Sequence, residues 1–332
     1  MSDGISPVLV EVTRGRLIES RHRGSAVVVG ADGTIIAAWG NPEMSIYPRP
    51  AIKPLQALAL IETGAAKRYA VSTEEIALAC ASHDGDAEHV SRIAAWLGRM
   101  GLTSADLECG AHTPTSAGAA EDLIRTGRVP SAIHNNCSGK HAGMLAGALH
   151  RGEPVRGYIA PDHPAQTRLK QLLGELSGAD LAEAATGIDG CGIPVYAMPV
   201  AGLARAMARL ARPDALAPVR AEAARAVITA MTRHPRLVSG AGRFDTEAMA
   251  IGAGSFVVKG GAEGVHAAAI PGRGLGIAIK IEDGAGRASG VAMAALLERF
   301  AGVPLPAWRE VPLLNVAGRD VGVVRAAPAL RA

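Results

Sequence analysis

Aromatic residues make up only 3% of this 332-residue chain, and lysine occurs six times against 28 arginines. So few rings leave little to stack on bases, and a formal charge of +3 with acidic and basic residues interleaved leaves no basic stripe. Nucleic-acid binding is thereby disfavoured. No stretch reaches about 18 uninterrupted apolar residues, the length a spanning helix needs. The opening MSDGISPVLVEVTRGRLIES has no basic segment followed by an apolar run, so no secretory signal is read there and the cytoplasm is the expected location, with no membrane partner. Cysteine is sparse as well. Cys80, Cys109, Cys137 and Cys191 lie far apart, which argues against a disulfide scaffold and leaves free thiols or metal ligands. What the chain does have is apolar material: 48% hydrophobic against 20% charged residues, enough for a substantial core in one large domain or two lobes.

Periodicity and turn residues predict the elements. SAVVVG and TIIAAWG are β-branched runs joined by Ala31-Asp32-Gly33, a hairpin. KPLQALALIETGA is helical in composition and closed by Gly64. Between EEIALAC and AEHVSRIAAWLGRMG stands a polar break, Ser82-His83-Asp84-Gly85, expected as an exposed loop. In the helix that follows, Val90, Ile93, Ala94 and Leu97 match the spacing of one buried face. GKHAGMLAGALHRG is a small-residue helix able to pack closely, and VRAEAARAVITAMTRHP a longer one ended by Pro235. GSFVVKGG, HAAAIPG and GLGIAIKIEDGAG read as strands, ASGVAMAALLERFAG as a covering helix. Strands at both ends with helices between predict an α/β (α+β) fold, a mixed β-sheet covered by helices. Neither an internal repeat nor a low-complexity linker interrupts it.

Lys67 and Lys170 sit among polar neighbours on helix surfaces, whereas Lys53, Lys140, Lys259 and Lys280 fall at strand ends, turns or helix starts. In a composition that favours arginine, such positions suit an amine that can lose its proton, which arginine cannot do; a lysine there can equally cap backbone carbonyls. CSGK at 137–140 is not a phosphate loop, because His134 and His141 occupy the places of the first Gly and the Ser/Thr. Cys137 and Lys140 are three apart at a helix start and share a face. Asp189 and Cys191 stand two apart in a Gly-rich turn. Two thiolates and a neutral amine are a possible zinc set, and two buried structural cysteines are the plainer alternative. Ser82 with His83 is either a nucleophile in a turn or a helix cap.

Ten segments in order, ESRHRG, WGNP, RPAIKPLQALAL, CASHDGD, CGAH, NNCSGKHAGML, PDHPAQ, GIDGCGIP, TRHPRLVSGAGRFDT and IKIEDG, resemble the asparaginase II family of the Rhizobium type. The resemblance covers nearly the whole chain. It implies a single domain over residues 1–332, with two lobes and the site between them as a possible arrangement, and a fold similar to serine β-lactamases and glutaminases. It also implies hydrolysis of L-asparagine to L-aspartate and ammonia. By resemblance Cys137, Lys140 and Cys191 hold zinc, with a metal and a helix N-terminus keeping the lysine neutral. Ser82 and Lys259 form one serine-lysine pair, and Arg49, Asp189 and His83 belong to the substrate pocket, Arg49 and Asp189 for the carboxylate and α-ammonium. A homodimer is expected.

The second pair is broken. Where the family has Arg-Ser-x-x-Lys-Pro, this chain has Arg49-Pro50-Ala51-Ile52-Lys53-Pro54. Proline suits a helix start but offers no nucleophile, and Ser45 is not at the matching place. Three readings follow: attack by Ser82 with Lys53 or Lys259 as base; a Cys137 nucleophile with His141 or His134 as base; or an amide-binding protein that turns over little. If attack needs a hydroxyl at position 50, turnover is weak or absent and Pro50→Ser raises it by at least about 100-fold, ~2.7 kcal/mol of barrier.

Overall fold

In the computed structural model, which describes residues 5–331, twelve strands form: β1 (Val8–Arg14), β2 (Leu17–Gly30), β3 (Ile35–Trp39), β4 (Ser45–Ile46), β5 (Thr186–Ile188), β6 (Pro194–Tyr196), β7 (Met198–Pro199), β8 (Val257–Gly260), β9 (Val265–Ile270), β10 (Leu275–Ile281), β11 (Glu310–Leu314) and β12 (Asp320–Ala326). Eight of them make one sheet in the order β11-β12-β1-β2-β10-β9-β8, with β3 beside β2. Every pairing is antiparallel. The fourteen-residue β2 carries the sheet through its bend: Leu17–Arg23 pair with β1, and Gly24–Gly30 pair with β10. The predicted hairpin is present, its first strand beginning eight residues earlier than SAVVVG because β1 offers a partner to residues 17–23.

β10 is buried at the successive positions Gly276, Ile277, Ala278 and Ile279, so both faces of the sheet are covered there. Helix Val200–Leu210 lies over β2, β9 and β10, and helix Gly286–Ala301 over β1, β9, β10 and β12. The first approaches so closely that a Cβ on Gly276 would stand 2.0 Å from the Ala204 carbonyl oxygen. This accounts for the alanines of VAGLARAMARL: only small side chains allow that separation.

Residues 40–256 leave the sheet after β3 and return at β8, and they carry most of the helices and the two small sheets β4–β7 and β5–β6. The predicted helix 53–63 is two short ones, Lys53–Gln56 and Leu58–Glu62, ending at Gly64 with φ +83°, where glycine avoids the Cβ cost. Helix Ala87–Arg99 buries His89, Ile93, Trp96 and Leu97; Ala94, expected on that face, is exposed because the buried stripe is centred on Ile93 and Leu97 and turns toward Trp96. Helix Ser138–His150 is buried along nearly its whole length, and a Cβ on Gly139 would meet the Leu78 carbonyl oxygen at 2.4 Å. Its first turn is thereby pressed against helix Thr73–Ala79. No helix among the described residues is long and apolar enough to cross a membrane.

Candidate active site

A cleft of about 490 Å³ opens where β8, an edge strand of the sheet, faces the helical segment. Five stretches far apart in sequence supply most of its lining: Arg49 and Pro50, Ser82, Asn135 to Cys137, Asp189 to Cys191, and Ser239 to Lys259 through Arg243 and Asp245; His112, Thr115, Gly260 to Ala262, His266, Gly286 and Ser289 complete it.

The polar break at 82–85 is the centre of this arrangement rather than an exposed loop. His83 and Gly85 are buried, Ser82 and Asp84 half-buried. Two backbone bonds hold it: Ser82 N–H donates to the Val238 carbonyl (2.9 Å) and His83 N–H to the Asn136 carbonyl (3.2 Å). A loop this short, covered by helix Pro235–Ser239 on one side and the start of helix Ser138–His150 on the other, has its backbone polar groups satisfied from outside itself.

Lys53 opens its helix with a side chain that is fully buried. Its Nζ meets three acceptors, the Ala81 carbonyl, Ser82 Oγ at 3.0 Å and the Asn136 carbonyl at 3.4 Å. Two are carbonyls, which can only accept. An ammonium donates one hydrogen to each of the three; a neutral amine would give its two to the carbonyls and turn its lone pair to the Ser82 hydroxyl, the arrangement of a base beside a nucleophile.

Lys259, expected to pair with Ser82, is engaged elsewhere. Its Nζ donates to the Gly260 carbonyl at 2.7 Å and stands 3.7 Å from Asp245 Oδ2. The reason is the strand: β8 places Lys259 beside the Asp245 carboxylate, which also accepts from Gly260 N–H (2.8 Å) and contacts His266 Nε2 (2.8 Å). Burial lowers the Lys259 pKa to about 8 against the pull of Asp245. Burial also works to raise Asp245, but His266, Lys259 and the Gly260 amide outweigh it and hold the carboxyl at about 2.

Cys137, Lys140 and Cys191, the set implied by the resemblance and left open by spacing alone, lie together. Lys140 Nζ lies 3.0 Å from Cys191 Sγ, Cys137 Sγ is 3.1 Å from Asn136 Oδ1, and all three are at least 95% buried. Burial favours the neutral form, yet the charge of Cys137, Cys191 and Asp189 pushes Lys140 upward instead. The hydrogen bond from Cys191 draws Cys137 down against burial. Cys80 and Cys109, by contrast, are pushed up to about 12, chiefly by burial, and are inert thiols. All four cysteines are free.

Arg49 and Asp189 face each other across the cleft, Nε to Oδ1 3.4 Å. His83 does not join them. It is fully buried, its Nε2 2.9 Å from Ser138 Oγ, its Nδ1 accepting from Gly85 N–H, its ring stacked on His89. Burial first, then nearby cationic groups, holds it neutral. Its neighbour Ser82 faces the cleft, and successive residues of an extended loop point opposite ways.

The sequence reading missed His112, whose Nε2 accepts from Asn136 N–H at 2.9 Å, as well as Arg243, Asp245 and His266. His112 and Asp245 lie within CGAH and GRFDT, segments already quoted for the resemblance, so the signal was present without a role attached. Neither His141, 2.8 Å from the Tyr158 hydroxyl, nor His134, turned to Ser131, is bonded to Cys137.

Among solved structures, the chain is similar to Mglu in its native form (TM-score 0.47, 16% identity, covering 91% of this chain and 70% of that one). It is also similar to a β-lactamase from Mycobacterium bovis (TM-score 0.43, 16% identity, 84% and 95% covered). No curated protein matches the chain. The family model described as L-asparaginase II matches residues 10–326, a span that takes in every strand of the main sheet but the first two residues of β1, and all five stretches of the cleft: the chain belongs to the L-asparaginase II family.

Proposed function

We propose that this protein hydrolyses L-asparagine to L-aspartate and ammonia, with Ser82 attacking and Lys53 as its base. Family membership supports the coarser statement, an amidohydrolase acting on a small-molecule amide. The single observation carrying the finer one is the 3.0 Å approach of Lys53 Nζ to Ser82 Oγ with two carbonyls on the same nitrogen. Ser82 Oγ bonds to the amide carbon as its proton passes to Lys53 Nζ. The ammonium returns that proton to the departing nitrogen, and ammonia leaves. Water then cleaves the acyl-serine, releasing aspartate and restoring the hydroxyl. Arg49 would take the substrate carboxylate and Asp189 its ammonium, each exchanging its partner across the cleft for the ligand. The direct test is ammonia release from L-asparagine; binding by calorimetry without release would favour the silent amide binder instead. A Cys137 nucleophile is less well supported, since no histidine among the described residues is bonded to it.

Lys259 serves as a second proton acceptor toward the cleft in this reading. A buried amine at about 8 is deprotonated only as pH rises through that value, so kcat/KM should climb with an inflection there. A profile flat from about pH 7 to about pH 9 would remove Lys259 from the mechanism.

Two buried thiols and one amine make a soft, compact donor set that fits zinc. Zinc bound by Cys137, Lys140 and Cys191 would supply a fixed positive charge beside the cleft, and the lysine would have to give up its proton to ligate. Protein never exposed to chelator is expected to carry about one zinc per chain at this site, lost in Cys191→Ser. Elemental analysis showing none would leave the three residues as a buried thiol and ammonium cluster.

A further inference from the structure

Beyond the thiol site, Asp84, Asp86 and His89 bring two carboxylate oxygens and an imidazole nitrogen within 4.8 Å of one another. His89 is fully buried. Its Nε2 is 3.3 Å from the Arg236 carbonyl oxygen, which can only accept, so that nitrogen carries the hydrogen. Nδ1 is the ring nitrogen that faces the carboxylates. It stands 2.8 Å from Asp86 Oδ1 and 3.1 Å from Asp84 Oδ1, yet it makes no aligned hydrogen bond to either.

A buried ring nitrogen facing two carboxylates without an aligned hydrogen bond is costly unless positive charge lies at that point. Two ligands held about 2.1 Å from one ion at right angles stand about 3.0 Å apart, each off the axis of the other's lone pair. The distances and the misalignment at Nδ1 both match that geometry. A metal-bound imidazole also commonly donates its other N–H to a carbonyl, as Nε2 does here. Some of the cluster's capacity is already in use. Asp86 Oδ1 accepts from His89 N–H as the helix cap, Asp84 Oδ1 is 3.4 Å from Asp86 N, and Arg236 stands 3.5 Å from Asp86 Oδ2. A carboxylate oxygen has two lone pairs, so each Oδ1 retains one.

We infer that Asp84, Asp86 and His89 bind a divalent cation of the Mn²⁺ class, one that takes oxygen and imidazole ligands. The ion would tie the loop carrying Ser82 to the start of helix Ala87–Arg99. Asp84, two residues past Ser82, packs on Gly240, where a Cβ would meet its Oδ2 at 2.3 Å. Gly240 in turn follows the cleft residue Ser239. The site shares no residue with the thiol site, whose soft thiolates select zinc, and the inference does not rest on the proposed reaction.

The test is a titration of the full-length protein with MnCl₂ followed by EPR. One Mn²⁺ should bind per chain, quenching the free-ion signal, with nitrogen coupling from one imidazole in the pulsed spectrum. Asp86→Asn and His89→Gln should each weaken binding about tenfold or more, while Cys137→Ser should leave it unchanged. Mn²⁺ should raise the thermal midpoint of the parent and not of His89→Gln. If His89→Gln fails to fold by circular dichroism, Asp86→Asn and the imidazole coupling in the parent decide. No binding at millimolar Mn²⁺, binding without nitrogen coupling, or binding retained in a folded His89→Gln or in Asp86→Asn overturns the inference and leaves His89 as a protonated ion-pair partner.

Discussion

Replacing Ser82 by Ala should lower kcat on L-asparagine by on the order of 10⁴ to 10⁶-fold, the loss seen when a serine hydrolase is stripped of its nucleophile. The expectation rests on the surroundings of Lys53. Its three nitrogen positions face Ala81, Ser82 and Asn136, so among the described residues Ser82 is the one hydroxyl its amine meets. A hydroxyl restored at position 50 would find those positions taken. Pro50→Ser should therefore change kcat/KM by less than about tenfold, too little to signal a regained nucleophile. Pro50 does line the same cleft, and the sequence alone, with proline where the family has serine, pointed toward weak turnover relieved by that substitution. The two variants measured together separate the cases. Ammonia release that survives Ser82→Ala, or that rises about 100-fold in Pro50→Ser, would move attack away from Ser82.

The second large effect concerns the length of the substrate. Arg49 and Asp189 stand in separate turns and hold each other at 3.4 Å, so a bound carboxylate and ammonium would be anchored at one end of the cleft with the amide directed at Ser82. Glutamine carries one more methylene, which moves its amide carbon by about 1.3 Å, and a displacement of that size costs ~100-fold in rate. L-Asparagine should accordingly exceed L-glutamine in kcat/KM by about that factor. Arg49→Ala should raise KM and narrow the difference, since a substrate no longer anchored can slide. Equal kcat/KM for the two amides in the parent protein would show that Arg49 and Asp189 do not set the distance.

Local patterns carried much of the fold. The β2–β3 hairpin, the helices near 87–99, 138–150, 218–233 and 286–301, and the three strands β8, β9 and β10 follow from β-branched runs, apolar spacing and Gly or Pro at the ends, all of which act within a few residues. Cys137 and Lys140 could be placed on one face because three residues make nearly a turn. Position 50 could be read as lacking a hydroxyl because that is a matter of composition. The ordered motifs identified the family without any geometry.

What tertiary structure alone decided are the partners. Ser82 meets Lys53 across 29 residues only because the Val238 and Asn136 carbonyls hold the 82–86 loop where Lys53 Nζ arrives. Lys259 is drawn to Asp245 by the edge strand it stands on, and His83 turns to Ser138 while its neighbour faces the cleft. The same loop looked like an exposed break because its residues are polar. Polarity reports what a segment needs for hydrogen bonding, not whether water or distant carbonyls will supply it, and that supply was set by helices more than fifty residues away in the chain.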